Sequence, residues 1–321
     1  MSEPFDLIAV GETMLSLIAL NGTLGTAASF RATHGGAESN TCVVAARLGL
    51  RAACVSRLGA DLLGDRILSA LAAEGVDVRW VVRDPHRPTG LMLRDTTGAP
   101  ARYDRAGSAA STLTPDDLDG VPVAEARAVL VTGVTALIGE GPQRTAVALL
   151  ERARGLRVVD PNLRLGLWGS ARAGELITPL IERADLVLGG EAELASLIGE
   201  GHGVELARRC SKLGPSEVVL KRGPAGAAVL DAQGAWYEHP GSPVPEVDPV
   251  GAGDAFNAGY IAARLANASP PEALAQGATC GAQAASTFGD TGTLFEVDPD
   301  TRTIGRSSAQ PAETEEEARG T

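Results

Sequence analysis

AVLVTG (128–133), LRVVDP (156–161), ADLVLGG (184–190) and SEVVLKRG (216–223) are four short apolar runs, each closed by glycine or proline. Their length and β-branched content predict buried strands. Between and after the first three lie segments of helical spacing at 142–154, 171–183, 191–198 and 204–213. Strands alternating with helices in this way argue for a mostly parallel sheet covered on both faces. Toward the N-terminus, DLIAVG (6–11) predicts another buried strand, and SNTCVVAARL (39–48) a helix stopped by Gly49. Residues 53–57 read as a short strand, and 63–73 as a helix that ends before Gly75. Toward the C-terminus, AAVLDAQGAWYEH (227–239) reads as a hairpin, and helices at 253–266 and 271–287 close the fold. Two non-helical excursions, 21–34 and 87–105, interrupt the rhythm; in the second, TTGAP is a plausible hairpin turn. The two excursions are expected to pair as a small separate sheet. Residues 1–304 are expected to form one α/β domain, and 305–321, polar and acidic, a disordered tail.

The 321 residues suffice for a large core, with 44% hydrophobic and 21% charged residues. No apolar run reaches the roughly 18 residues that span a bilayer. The N-terminal stretch lacks a basic leader and carries Glu3, Asp6 and Glu12, so a secretory signal is not expected. The four cysteines (Cys42, Cys54, Cys210, Cys280) form no CxxC pair, which suits reduced thiols in the cytoplasm. A net charge of −12 without a Lys/Arg run argues against a nucleic-acid partner. None of the four histidines (His34, His86, His202, His239) falls in a motif, and solvated or capping roles are expected for them.

The chemistry concentrates in EVDPVGAGDAFNAGY (246–260). Gly251-Ala252-Gly253 precedes a helix whose first turn contains Asp254. Small residues there let backbone N–H groups converge, and the helix N-terminus adds positive partial charge. Such a place suits the charge that builds on a transferring phosphoryl group. Asp254 beside it is either a general base for an attacking hydroxyl or a helix N-cap. GxxxxGK[ST] is absent, and GAGDAF is neither GxGxxG nor placed after the first strand, so P-loop and dinucleotide folds are set aside.

DPVGAGDAF resembles the C-terminal signature of the PfkB or ribokinase-like kinases. GGAESNTCVVAARLG (35–49) resembles their N-terminal GG-x-x-x-N signature, and GADLLG (59–64) their GxDxxG. The three occur in order and the likeness extends to about residue 298. It implies a three-layer α/β/α ribokinase-like domain with a small β-strand lid, supplied by the two excursions. It further implies an anion hole at Gly251, Ala252 and Gly253, Asp254 as the base, and Gly35, Gly36 and Asn40 on substrate hydroxyls. KRGPAG (221–226) is similar to the family's nucleotide loop, which puts Lys221, Gly223 and Gly226 near ATP. Glu193 matches the glutamate of an N-x-x-E motif that organises Mg2+ through water, although Gly190 stands where asparagine is usual. Asp248 lies where several relatives bind a monovalent cation such as K+; a plain turn aspartate is the alternative. Lid strands in relatives often pair, which implies a homodimer or larger assembly.

RYDRAGSAASTL (102–113) and DPNLRLGLW (160–168) are similar to the 2-keto-3-deoxygluconate kinase branch. Arginine offers a planar fork to a sugar-acid carboxylate. The resemblance therefore assigns Arg105 and Arg164 to the acid end, Tyr103 to the chain, Asn162 to the same loop and Asp290 to a far hydroxyl. The alternatives are a kinase for a neutral sugar such as fructose or ribose, and a catalytically silent ligand-binding or regulatory protein of the same fold.

Overall fold

The structure, a computed structural model, describes residues 3–95, 97–163 and 170–292. The tail expected over 305–321 and the domain end at 304 lie outside the described residues.

In chain order the first half contains β1 (Leu7–Val10), β2 (Met14–Ala19), β3 (Phe30–Gly35), α1 (Ala37–Arg47), β4 (Ala52–Gly59) and α2 (Leu62–Ala73). There follow β5 (Asp77–Asp84), β6 (Leu91–Arg94), β7 (Arg102–Asp104), β8 (Ala128–Thr132), α3 (Gly133–Leu137), α4 (Glu140–Arg152) and β9 (Leu156–Asp160). The second half holds α5 (Ser170–Ile181), β10 (Leu186–Gly190), α6 (Glu191–Ile198), α7 (Gly203–Ser211) and β11 (Glu217–Lys221). β12 (Ala227–Leu230), β13 (Trp236–His239), α8 (Ala252–Leu265) and α9 (Pro270–Ala285) complete it.

Nine strands form the main sheet in the order β13-β12-β11-β10-β9-β8-β1-β4-β5. The seven from β11 to β5 run parallel, and β12 and β13 form an antiparallel edge. Side chains alternate across each strand. Leu7 and Ala9 therefore enter the core under α1, α2, α8 and α9, while Ile8 and Val10 enter the one under α4 to α7. Both faces of the sheet are buried. The result is three layers, as the ribokinase-like resemblance implies.

Two strands escaped the sequence reading. β5, DVRWVVRD, has a charged residue at both ends and half-exposed positions between, because it is a sheet edge with, among the described residues, only β4 beside it. β2 follows β1 after three residues, where no element is read from the sequence. That strand changes the small sheet, whose order is β3-β2-β6-β7. The two excursions do not pair directly: β2 lies between them, antiparallel to β3 and parallel to β6. β6 and β7 form the hairpin around TTGAP, with Met92 opposite Tyr103.

α8 and α9 pack backbone against side chain: a Cβ on Gly259 would sit 2.4 Å from Cys280 Sγ. All four cysteines are free and buried. Among the described residues, no helix is long and apolar enough to cross a membrane.

His34, expected to be solvated or capping, is buried on β3, and its Nε2 has no hydrogen-bond partner among the described residues. Burial lowers its pKa from 6.5 to about 4, against the pull of Glu74 and with the help of Arg47. The neutral form is thus favoured in the fold, and the unfolded chain binds the extra proton first. Stability contributed by neutral His34 is present above pH 6.5 and falls as pH drops toward 4, by roughly 3 kcal/mol in total. Urea unfolding at pH 7 and pH 5 is expected to show this loss, and His34→Leu to flatten it. An equal pH slope in the variant would rule out His34 as its source.

Candidate active site

The strand order reverses at β1, which has β8 on one side and β4 on the other. Ligand crevices in such sheets open at the carboxyl ends of the strands beside that reversal. Glu12 follows β1, Asp160 ends β9, Gly190 ends β10 and Lys221 ends β11, so all lie along that edge.

α8 begins there. Gly251 is left-handed, with φ +86°, and a Cβ on it would sit 1.6 Å from the main-chain oxygen of Asp290. No residue with a side chain fits. This turn starts the helix at Ala252, and the amides of its first turn lack intrahelical acceptors. Lys221 Nζ lies 3.6 Å from where a Cβ on Gly253 would be, which adds a full positive charge at the same helix end. The ammonium is held by Asp160 Oδ2 at 2.8 Å and Asn257 Oδ1 at 3.1 Å, and Asn257 Nδ2 also donates to Asp160.

Asp254, in the first turn of α8, is buried. Asn40 Nδ2 donates to its Oδ2 at 2.8 Å, and Thr41 donates to its main-chain carbonyl. Asn40 Oδ1 is buried and has no partner among the described residues. Asn40 lies one turn into α1, whose N-cap is Gly36. Gly36 packs against the Glu12 carbonyl, 2.3 Å from an added Cβ, and Gly35 against Asp290 and Met92. The three residues assigned to substrate hydroxyls therefore meet Asp254 and the entry to the small sheet.

Arg105 Nη1 pairs with Glu12 Oε2 at 2.9 Å, and its guanidinium lies over the Tyr103 ring, 4.9 Å from the centroid. Ser108 Oγ donates to Glu12 Oε1. Burial raises the Glu12 pKa, opposed by Arg105 and Ser108. Below it, Glu38 Oε1 accepts from the Thr132 amide and from the hydroxyls of Thr132 and Thr135. Burial raises its pKa too. Asn162 occupies a left-handed turn, φ 37°, with its amide on Asp160 Oδ1 at 2.9 Å. Arg164 and Trp168 lie outside the described residues.

Gly223 and Gly226 bracket the turn between β11 and β12, Gly223 exposed and Gly226 buried. Glu193 sits in the first turn of α6, its carboxyl carbon 3.0 Å from where a Cβ on Gly190 would be. An asparagine at 190 would have to share that space. Among the described residues no cluster of three or more His, Cys, Asp or Glu could hold a metal alone.

Two of the assigned residues meet one arginine. Asp248 was expected either to face a monovalent cation or to be a turn aspartate; Arg94 donates to both its oxygens, at 3.0 and 2.7 Å, and the amides of Val250 and Gly289 donate to one each. Asp290, expected on a far substrate hydroxyl, accepts from Arg94 Nη2 at 2.5 Å through Oδ1, and its Oδ2 lies 2.7 Å from where a Cβ on Gly35 would be. It also lines a cavity of about 360 Å³ with Arg31, His34, Arg47 and Glu74, which does not include Asp254.

Glu12, Glu38, Arg94 and Asp160 were not singled out from sequence. Glu12 and Asp160 had a usable signal, since each lies at the carboxyl end of a predicted strand. Arg94 had none: it is one residue of a short strand.

The pfkB family carbohydrate kinase pattern matches residues 5–295. The 2-dehydro-3-deoxygluconokinase of Thermoproteus tenax is 32% identical over 84% of this chain and 84% of its own. That of Bacillus subtilis (strain 168) is 34% identical over 89% and 91%. The crystal structure of a PfkB protein from Polaromonas sp. JS666 superposes with TM-score 0.81 at 37% identity, covering 88% of this chain and 96% of that one.

The contrast between the two glycines of the turn is measurable. Gly251→Ala is expected to lower stability by roughly 2 kcal/mol or more, since its Cβ meets fixed backbone at a positive φ. Gly253→Ala, which meets only the end of Lys221, should unfold at nearly the wild-type denaturant midpoint. Equal midpoints for the two variants would show that the loop at 251 yields.

Proposed function

Because the chain belongs to the pfkB family of carbohydrate kinases, we propose that it moves the γ-phosphoryl group of MgATP to a hydroxyl of 2-keto-3-deoxygluconate, forming the 6-phosphate. The observation that carries the reading is the Asn40–Asp254 hydrogen bond at the N-terminus of α8, with Lys221 alongside. It gives a carboxylate a fixed orientation beside a concentration of positive partial charge.

Asp254 takes the proton of the terminal hydroxyl as that oxygen attacks the γ-phosphorus. The new O–P bond forms while the bond to the β–γ bridging oxygen breaks, and ADP leaves with that electron pair. Gly251, Ala252 and Gly253 turn their amides toward the equatorial oxygens, and Lys221 adds its charge. Gly223 and Gly226 shape the loop over the nucleotide. Glu193 would contact a nucleotide-borne Mg2+ through water, and the metal would supply charge to offset the phosphates. Asn40, oriented by Asp254, offers its unpartnered Oδ1 to a substrate hydroxyl, with Gly35 and Gly36 beneath.

Arg105, braced by Tyr103 and held by Glu12, supplies a charged fork for the acid end, with Arg164 assigned to the same carboxylate and Asn162 shaping that loop. The two deoxygluconokinase relatives support this substrate class. A coupled ADP-release assay over sugar acids and neutral sugars tests it. Asp254→Asn should lose about 10²–10⁴ in kcat while it stays folded and binds ATP. Near-normal turnover would refute the base. Arg105→Ala should raise KM for the sugar acid about 10- to 100-fold and leave a neutral hexose nearly unaffected. Equal effects on both would remove the carboxylate assignment.

A further inference from the structure

Arg94, at the end of β6 in the small sheet, is a charged side chain only 3% exposed, set between two carboxylates that are 2% exposed. Buried charge is costly unless neighbours compensate it, and its Nε has no hydrogen-bond partner among the described residues. Its compensation comes through the terminal nitrogens, Nη1 on Asp248 and Nη2 on both Asp248 and Asp290.

Both carboxylates belong to the backbone that forms the anion hole. Asp248 opens the segment leading into Gly251; its Oδ1 takes the Val250 amide and its Oδ2 the Gly289 amide. Asp290 places its carbonyl against the Cα of Gly251. Arg94 therefore fixes the two chains that set the left-handed turn before α8.

An alkali cation bound by Asp248 would need its oxygens as ligands. A carboxylate offers about four acceptor positions, and here Arg94 takes two and backbone amides two. The residues present do not fit a bound K+.

We propose that the Arg94 guanidinium is the resident cation of this anion hole. It is a positioning residue that holds the 248–251 loop in its working geometry and makes turnover independent of monovalent cations. It also ties the small sheet directly to the phosphate end of the site. The proposal rests on the kinase reading above, and the two fail separately. Wild-type turnover on a sugar acid or sugar decides the kinase, and the cation response decides Arg94.

The test compares initial rates of the wild-type enzyme in KCl, NaCl and tetramethylammonium chloride. At matched ionic strength, which holds screening constant, the three are expected to agree within about twofold. Arg94→Ala should lose roughly 10- to 100-fold in kcat through misplacement of the loop, a cost of the size remote misplacement produces. Added KCl or guanidinium chloride at low concentration should restore part of it, saturably, and tetramethylammonium should not. Loss of packing alone would lower the unfolding temperature without producing that saturable rescue. Strong stimulation of the wild type by K+ would overturn the proposal, as would wild-type kcat in Arg94→Ala or a loss that neither cation repairs. Should Arg94→Ala not fold, the wild-type series and Arg94→Lys decide: the lysine variant is expected to keep cation-independent turnover, and K+ dependence in it would count against the proposal.

Discussion

A hydrogen bond of 2.8 Å between residues 214 positions apart holds the site together: Asn40 on α1 to Asp254 on α8. Hydrogen bonds to a charged acceptor contribute on the order of 1.5–3 kcal/mol, so this one is more than a detail of packing. It joins the helix that begins at Gly36, where the small sheet returns to the core, to the helix whose N-terminus gathers the amides. Thr41 repeats the connection one residue on, to the main chain of Asp254. With the two helices so fixed, acceptor and phosphate ends of the site share one frame.

Around that frame three cations near the site are each held by an acid. Lys221 rests on Asp160, Arg105 on Glu12, and Arg94 on Asp248 and Asp290. In a chain of net charge −12 that accepts anionic ligands, attraction at a distance is not what brings them in. The cations are pre-placed, with their geometry settled before the ligand arrives, which is how a dry site avoids reorganisation during reaction. On the substrate reading proposed above, Glu12, with its proton affinity already raised by burial, is the group that an arriving carboxylate would compete with for Arg105.

Much of this was legible in the sequence because it depends on local rules. The parallel core reads from β-branched runs of about five residues between helices, and helix ends at Gly49 and Gly75 read from their glycines. GAGD and GGAESN pointed to the site through their resemblance to the pfkB kinase signatures, since a carboxylate at a helix start can by itself be a plain N-cap. What escaped is what pairing decides. β5 hides its strand character behind charges because one of its edges meets no neighbour. β2 becomes a separate strand only through its partners β3 and β6. Asp248 could be placed along the chain without its arginine partner being legible, since the guanidinium that meets it comes from 154 residues away.

The close seat of Gly259 on Cys280 has its own consequence. With α9 resting on the backbone of α8, the helix that carries Asp254 has no slack in which to tilt or slide. On the kinase reading proposed above, the helix that carries the base is then the fixed part, and adaptation to a new acceptor would fall to the small sheet and its hairpin. Exchange of residues there would, on the same reading, retune which sugar is admitted while the chemistry that modifies it stays untouched. One scaffold can in this way diversify into many preferences without reinventing its reaction.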